Sequence, residues 1–477
     1  MKSARRRKDT AFGRDKGGVA VGGRIMTAKR GRHNKTASVF RRALCLVLAL
    51  SFCFSLCGCD LFAGDEDLIT PPRPQGELYE IKQSLEQAEG GKMTLKYPTK
   101  GEYRSAIISV DVTGNGENDA VAFYATESEN ITYMHIAVVS RHGEEWVTSN
   151  DVPVMASGIE QVKFVDLDGN GVSEILVGWS VYGNVDKEIA VYSFDGETLS
   201  SLLKEKYTEF LCCDFDTDQK QELFVLHLNQ TNKTAVARCF GMAEGEIGEI
   251  SKTVADGNVS SYAAVCEGKL LNGKPAIYAD AQKGGTMITE VFYLDGARLV
   301  NPLCDADSRV TIMTERPTSF TSRDITGDGI IDIPMAETLP GYAEAPPADK
   351  IYLTRWCSFD GEKLVVTLNA LMNYPDGYYF TVPKTHEHSI TLERNIESRM
   401  RIVYLCDPET GTRQADLFRI KAVNSTNYDP ALPEYGGWEK IAETESLAYL
   451  VKHSGYDGEG ALSLAQIKEA FKLIATK

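Results

Sequence analysis

The sequence holds no apolar run long enough to cross a bilayer. Its apolar stretch from Ala43 to Leu56 has 14 residues, and a spanning helix needs about 20. Cysteine is scarce beyond that stretch. After Cys59 come Cys212, Cys213, Cys239, Cys266, Cys304, Cys357 and Cys406, an odd number with no Cys-x-x-Cys spacing. That argues against a zinc ribbon and against a disulfide framework, so these cysteines read as small buried hydrophobes. Basic charge is short as well. Residues 1–58 hold 14 of the 51 Lys and Arg but only 2 of the 67 acidic residues. The remainder therefore carries 37 basic against 65 acidic side chains, a surplus of 28 negative charges. No nucleic-acid partner is expected, because phosphate contacts need clustered Lys and Arg. No His-Glu-x-x-His, Gly-x-Ser-x-Gly or phosphate-cradling glycine loop occurs, so no catalytic group is nominated by motif.

What is present begins at the N-terminus. A basic segment (Arg5, Arg6, Arg7, Lys8, Lys29, Arg30, Arg32, Arg41 and Arg42 among it) precedes the short apolar core. Basic segment, short core and small-residue cleavage site together make a secretory signal. The site reads Leu56-Cys57-Gly58-Cys59. It resembles the lipobox of bacterial lipoproteins, with Cys57 an unusual residue at its place. The resemblance implies a signal peptide over 1–58, lipidation of Cys59, and attachment to the outer face of the cytoplasmic membrane, in a Gram-positive type of cell. Met26 is a second candidate for the start. Residues 59–76, polar and rich in Pro and Gly, read as a tether. Leu78, Ile81, Leu85 and Ala88 recur at helical spacing, so 77–89 is expected to be a short amphipathic helix.

From there the chain repeats. Four nine-residue segments carry oxygen-bearing side chains at alternate positions and run into apolar β-type stretches. Their positions 1, 3, 5 and 9 are Asp111, Thr113, Asn115 and Asp119; Asp166, Asp168, Asn170 and Glu174; Asp214, Asp216, Asp218 and Glu222; and Asp324, Thr326, Asp328 and Asp332. A degenerate copy without the carboxylates lies at 265–278. Later in each unit an Asp-Gly pair (195–196, 295–296, 360–361) separates two apolar runs, a strong hairpin signal. Units of about 50 residues with two hairpins suit four-stranded propeller blades. Five are expected, near 103–149, 158–204, 207–252, 258–303 and 318–368, within a domain spanning 77–370. Residues 371–477 are expected to form a separate small α+β domain, with strands near 378–383, 389–393, 400–405 and 416–423 and a helix at 462–475. His386 and His388 are expected to share one face of a strand.

The D-x-[DT]-G-[DN]-G-x-x-[DE] loop before a β-run resembles the FG-GAP, or VCBS-type, repeats of integrin α-chain propellers and bacterial surface proteins. The resemblance covers roughly 95–370 and departs at 265–278 and at Gln219, where glycine is usual. Integrin propellers also have seven blades. Ca²⁺ takes six to eight hard oxygen ligands, which such loops supply from side chains 1, 3, 5 and 9 and carbonyl 7. Loops 166–174 and 324–332 fit best, each with three carboxylates and both glycines. The alternative is that all four loops are solvated Asp/Gly turns. The combined expectation is a mainly β, propeller-like, calcium-supported protein, anchored to the membrane by lipid. It would bind or scaffold an unidentified protein or carbohydrate at the cell surface. The alternative is an extracellular polysaccharide hydrolase or lyase using carboxylates in the propeller mouth.

Overall fold

The structure is a computed structural model, and it describes residues 76–128, 131–181, 183 and 187–474. Cys59, the signal segment and the tether up to residue 75 lie outside the described residues. The chain enters through helix α1 (Glu77–Glu89), which has the expected bounds. It buries Ile81 and Leu85 and ends where Gly90, at φ 67°, returns its N–H to the Glu86 carbonyl.

Six antiparallel sheets follow. The first contains β1 (Thr94–Leu95), β2 (Ile107–Val110), β3 (Asp119–Ser128), β4 (Ile131–His142) and β5 (Glu145–Val154). The second is β6 (Gly158–Val165), β7 (Glu174–Ser180), β8 (Lys187–Phe194) and β9 (Leu199–Tyr207). The third is β10 (Glu209–Cys213), β11 (Glu222–Asn229), β12 (Thr234–Ala243) and β13 (Glu246–Ala255). The fourth is β14 (Ser261–Lys269), β15 (Pro275–Lys283), β16 (Thr286–Asp295) and β17 (Arg298–Val300). The fifth opens with β18 (Asp332–Thr338), β19 (Tyr352–Phe359), β20 (Leu364–Asn373) and β21 (Tyr378–Thr381). The sixth holds β22 (Ile390–Asn395), β23 (Met400–Cys406), β24 (Arg413–Asn424), β25 (Glu439–Glu443) and β26 (Leu447–His453). Helix α2 (Leu464–Ala470) then leads into β27 (Phe471–Leu473), which returns to the fifth sheet beside β21.

The sheets stack face to face, and alternation along each strand supplies both faces. Val121 and Phe123 of the first sheet pack with Ile175 and Val177 of the second. Leu176 and Val191 turn the other way, toward Leu223 and Val225 of the third. Phe224 and Leu226 meet Ile277 and Ala279 of the fourth. Tyr278 and Val291 meet Ile333 and Phe359 of the fifth. Leu353 and Phe380 meet Val403 and Phe418 of the sixth. Burial on both sides explains why strands such as β7 and β11 read as nearly continuous apolar runs. The stack has ends. Ala120, Ala122 and Val139, on the outer face of the first sheet, are covered by Ile81 and Leu85 of α1. Val423, Ala448 and Leu450, on the outer face of the sixth, are covered by Tyr435, Tyr428 and Trp438. Among the described residues no core cluster joins the sixth sheet to the first.

Two expectations are corrected here. The boundary at 370/371 falls inside β20, and β21 and β27, both from beyond it, pair into the fifth sheet. The core shared by Leu353, Leu371, Phe380, Phe418 and Phe471 makes the last hundred residues a sixth layer of the same stack. They are not a separate domain. The helix expected over 462–475 is confined to α2, capped by reciprocal bonds between Ser463 and Gln466, because Phe471 leaves the helix to pair with Phe380. The Asp-Gly hairpins form. Gly196 and Gly361 have positive φ while Asp195 and Asp360 do not. Each Asp instead accepts the N–H groups of the residues two and three ahead, at 2.7–2.9 Å. None of the seven described cysteines forms a disulfide, and five of them are buried.

Candidate metal loops

The first acidic segment lies between β2 and β3, the second between β6 and β7, the third between β10 and β11, and the fourth just before β18. The four loops share one backbone. Positions 4 and 6 have φ of 72° and 85° in the first, 75° and 89° in the second, 69° and 74° in the third, and 83° and 83° in the fourth. Three loops supply Gly there. The third holds Thr217 and Gln219 in the same left-handed conformation. Position 1 closes the turn: Asp111, Asp166 and Asp324 each use both oxygens to accept N–H groups from positions 4 to 6, at 2.6–3.1 Å. Position 9 opens the next strand and is buried every time: Asp119, Glu174, Glu222 and Asp332 are at most 4 % exposed. In three loops it accepts the N–H of position 2, from Val112, Leu167 and Phe215. Those three side chains are themselves buried. Neighbouring loops touch. A Cβ on Gly114 would stand 2.7 Å from Val172 Cγ2, and one on Gly169 would stand 3.4 Å from Lys220 Cγ. The first three loops therefore form one continuous acidic ridge.

The electrostatics divide the carboxylates into two kinds. Burial raises Asp111 and Asp324, but the backbone N–H groups they accept outweigh it and hold both below the usual carboxylate range. Position 9 goes the other way in the second, third and fourth loops. Burial first, then the Asp168 and Asp166 charges, raises Glu174. Burial, with Asp216, Asp218 and Asp214 beside it, lifts Glu222 to about 7. Asp332 is raised by burial, against the hydroxyls it accepts. A buried carboxylate pushed up by neighbouring negative charge is relieved by a proton or by a cation.

Not every expected ligand set comes together. Asp166, Asp168 and Glu174 offer oxygens within 4.8 Å of one another, and so do Asp214, Asp216 and Asp218. Asp214 Oδ1 is enclosed and has no hydrogen-bond partner. The loop at 324–332, expected to rank with 166–174, forms no such group, and the glycine-poor loop at 214–222 takes its place. Asp332 Oδ1 accepts the hydroxyls of Ser358 and Thr367, at 2.7 and 2.8 Å, while its Oδ2 is enclosed without a hydrogen-bond partner. Thr326 supplies no carboxylate at position 3. The first loop has only Asp111 and Asp119, with Thr113 bonded between them and Asn115 turned to the N–H of Glu117. In the second, Asn170 Oδ1 likewise accepts the N–H of Val172. His386 and His388 do not share a strand. His386 is buried in a 3₁₀ turn with Nε2 2.9 Å from the Gly460 carbonyl, and His388 is exposed.

No family model matches the chain, and no curated protein does. Among solved structures, a rhamnogalacturonan lyase of Bacillus licheniformis is similar at 13% identity, over 68% of this chain and 69% of that one, with a TM-score of 0.31. An exotype rhamnogalacturonan lyase is similar at 12%, over 70% and 72%, with a TM-score of 0.30. An exo-β-1,3-galactanase of Phanerochaete chrysosporium is similar at 12%, over 70% and 80%, with a TM-score of 0.25. Likeness at this level assigns no activity.

Proposed function

We propose that this chain is a lipid-anchored binding or scaffold protein of the cell surface, whose stacked sheets are held at one edge by Ca²⁺ in the loops at 166–174 and 214–222. The observation that carries the reading is the pair of carboxylate triads with oxygens within 4.8 Å on a shared loop backbone. All-oxygen ligand sets on a flexible loop suit Ca²⁺ rather than a softer metal. Asp166, Asp168 and Glu174 would hold the ion in one loop, and Asp214, Asp216 and Asp218 in the other. Calorimetric titration of the mature chain with Ca²⁺ should find two sites. Asp168→Ala should remove one and Asp216→Ala the other. Absence of Ca²⁺ binding would leave the loops as acidic turns. The anchor is tested separately. Two acyl chains at about 0.8 kcal/mol per buried CH₂ give stable membrane residence, so mass spectrometry should find lipid on Cys59 at the mature N-terminus.

A second reading, a polysaccharide hydrolase or lyase, draws support from one cleft of about 510 Å³ lined by residues of 337–344, 387–388 and 408–410. There His388 Nε2 lies 3.3 Å from Glu387 and Nδ1 3.9 Å from Glu337, a carboxylate–imidazole–carboxylate set suited to proton transfer. No aromatic side chain lines the cleft to stack on a sugar ring. Release of reducing ends or unsaturated products from neutral and acidic polysaccharides, abolished by Glu387→Gln, would favour this reading over the first.

A further inference from the structure

The outer face of the first sheet carries a polar group at the point where α1 ends. His135 on β4 stands opposite Tyr124 on β3, and Asp151 on β5 stands opposite Ala137 of β4. Paired residues share a face, and this is the face that α1 covers. Glu89, the last residue of α1, completes the group: Glu89, His135 and Asp151 offer ligand atoms within 4.8 Å of one another. They come from three elements, 16 to 62 residues apart in the chain.

The surroundings of each ligand are built. His135 is buried, at 6 % exposure. Its Nε2 lies 2.8 Å from the Thr126 hydroxyl, and its Nδ1 faces Asp151 at 3.0 Å. The ring lies flat on Tyr124, with centroids 4.6 Å apart and planes 9° apart. The Tyr124 hydroxyl donates to Glu89 Oε2 at 3.2 Å. Burial first, then the Asp151 and Glu89 charges, pushes that phenol well up, so it remains a donor. A metal-ligating histidine keeps its second nitrogen on a fixed partner, and ligating carboxylates accept outer hydrogen bonds. Thr126 and Tyr124 occupy those two positions. The Thr126 hydroxyl can donate to Nε2 or accept from it; where it accepts the Nε2–H, the Nδ1 lone pair faces Asp151, which is the orientation a metal ligand needs.

We infer that Glu89, His135 and Asp151 form a site for a first-row transition ion of the Zn²⁺ type, which clamps the end of α1 to the first sheet. One imidazole and two carboxylates suit Zn²⁺, whose protein ligands are His nitrogen and carboxylate oxygen, and an imidazole ligand disfavours Ca²⁺. Three protein ligands leave a fourth position for water. The site is distinct from the acidic ridge and does not depend on the calcium reading. Its structural effect is to fix the cap helix, the first described element of the chain.

The test uses the mature chain in excess Ca²⁺, so that the oxygen-only loops are saturated. Zn²⁺ titration should show one site. Co²⁺ should give visible ligand-field bands of a nitrogen- and oxygen-ligated ion. Glu89→Gln, at a partly exposed helix end, and His135→Gln should each weaken binding by more than about tenfold, and Tyr124→Phe by about tenfold, in line with losses seen for outer partners. Zn²⁺ should also slow hydrogen exchange in α1 of the unsubstituted chain but not of Glu89→Gln. The inference fails if Zn²⁺ and Co²⁺ do not bind, or if binding is unchanged in a folded Glu89→Gln chain. It fails equally if nitrogen NMR shows His135 Nδ1 carrying a proton that Zn²⁺ does not displace, the sign of a plain hydrogen bond or ion pair to Asp151.

Discussion

Thr217 and Gln219 hold a conformation that the other three loops assign to glycine, with φ of 69° and 74°. The left-handed region costs an L-residue roughly 1–2 kcal/mol, and more for a β-branched one. Thr217→Gly should therefore stabilise the protein by about 1 kcal/mol after the extra chain entropy of glycine is set against it, as read from urea unfolding. Glu222 supplies a pH dependence in the same loop. Its folded value of about 7 lies above the ordinary glutamate value of about 4.5. The folded state thus binds the proton more tightly, and stability without Ca²⁺ should fall as pH rises from about 4.5 to about 7, then level. Glu290, fully buried and also near 7, contributes with the same sign. Glu222→Gln should remove only its own part of the slope, and Ca²⁺ should flatten it further. The carboxylate cluster of the 166–174 loop was legible because its members fall within nine residues. The failure of 324–332 was not, because Ser358 and Thr367, which hold Asp332, lie 26 and 35 residues away. Nothing local marks His135, Asp151 and Glu89 as neighbours either; strand register brings them together.

At the scale of elements, apolar periodicity located α1 to the residue, because Ile81 and Leu85 face a sheet and the C-terminal Gly90 stops the helix in its own sequence. The same reasoning overran at α2, where Phe471 and Leu473 continue an apolar pattern that serves β27. Pattern alone does not distinguish a last helical turn from a strand that pairs 91 residues back, as Phe471 does with Phe380. Leu85 is fully buried against the first sheet. Leu85→Ala should cost about 3 kcal/mol, within the usual range for a buried leucine. Because α1 is the end cap of the stack, the loss should appear first as faster hydrogen exchange across β3 and β4, ahead of the sheets further along.

The described residues form six layered sheets, each buried against its neighbours, with non-sheet segments over the outer faces of the first and the sixth. Five layers were legible from repeated loops and turns. The sixth was not, since it carries no acidic loop, and its membership rests on β27 crossing back to the fifth sheet. Stability in such an array is the sum of layers and nearest-neighbour interfaces. Under the calcium reading proposed above, an ion at the second or third loop would act on the interfaces between the sheets that these loops adjoin. That claim is tested most directly by melting the mature chain with EDTA and with millimolar Ca²⁺. At one hundred times its Kd, one site that binds only the folded state adds about 2.7 kcal/mol. The account expects a higher melting temperature with Ca²⁺, a smaller gain for Asp168→Ala or Asp216→Ala, and no change in the gain for Asp328→Ala. Coincident curves with and without Ca²⁺, or a gain abolished by Asp328→Ala alone, would contradict it.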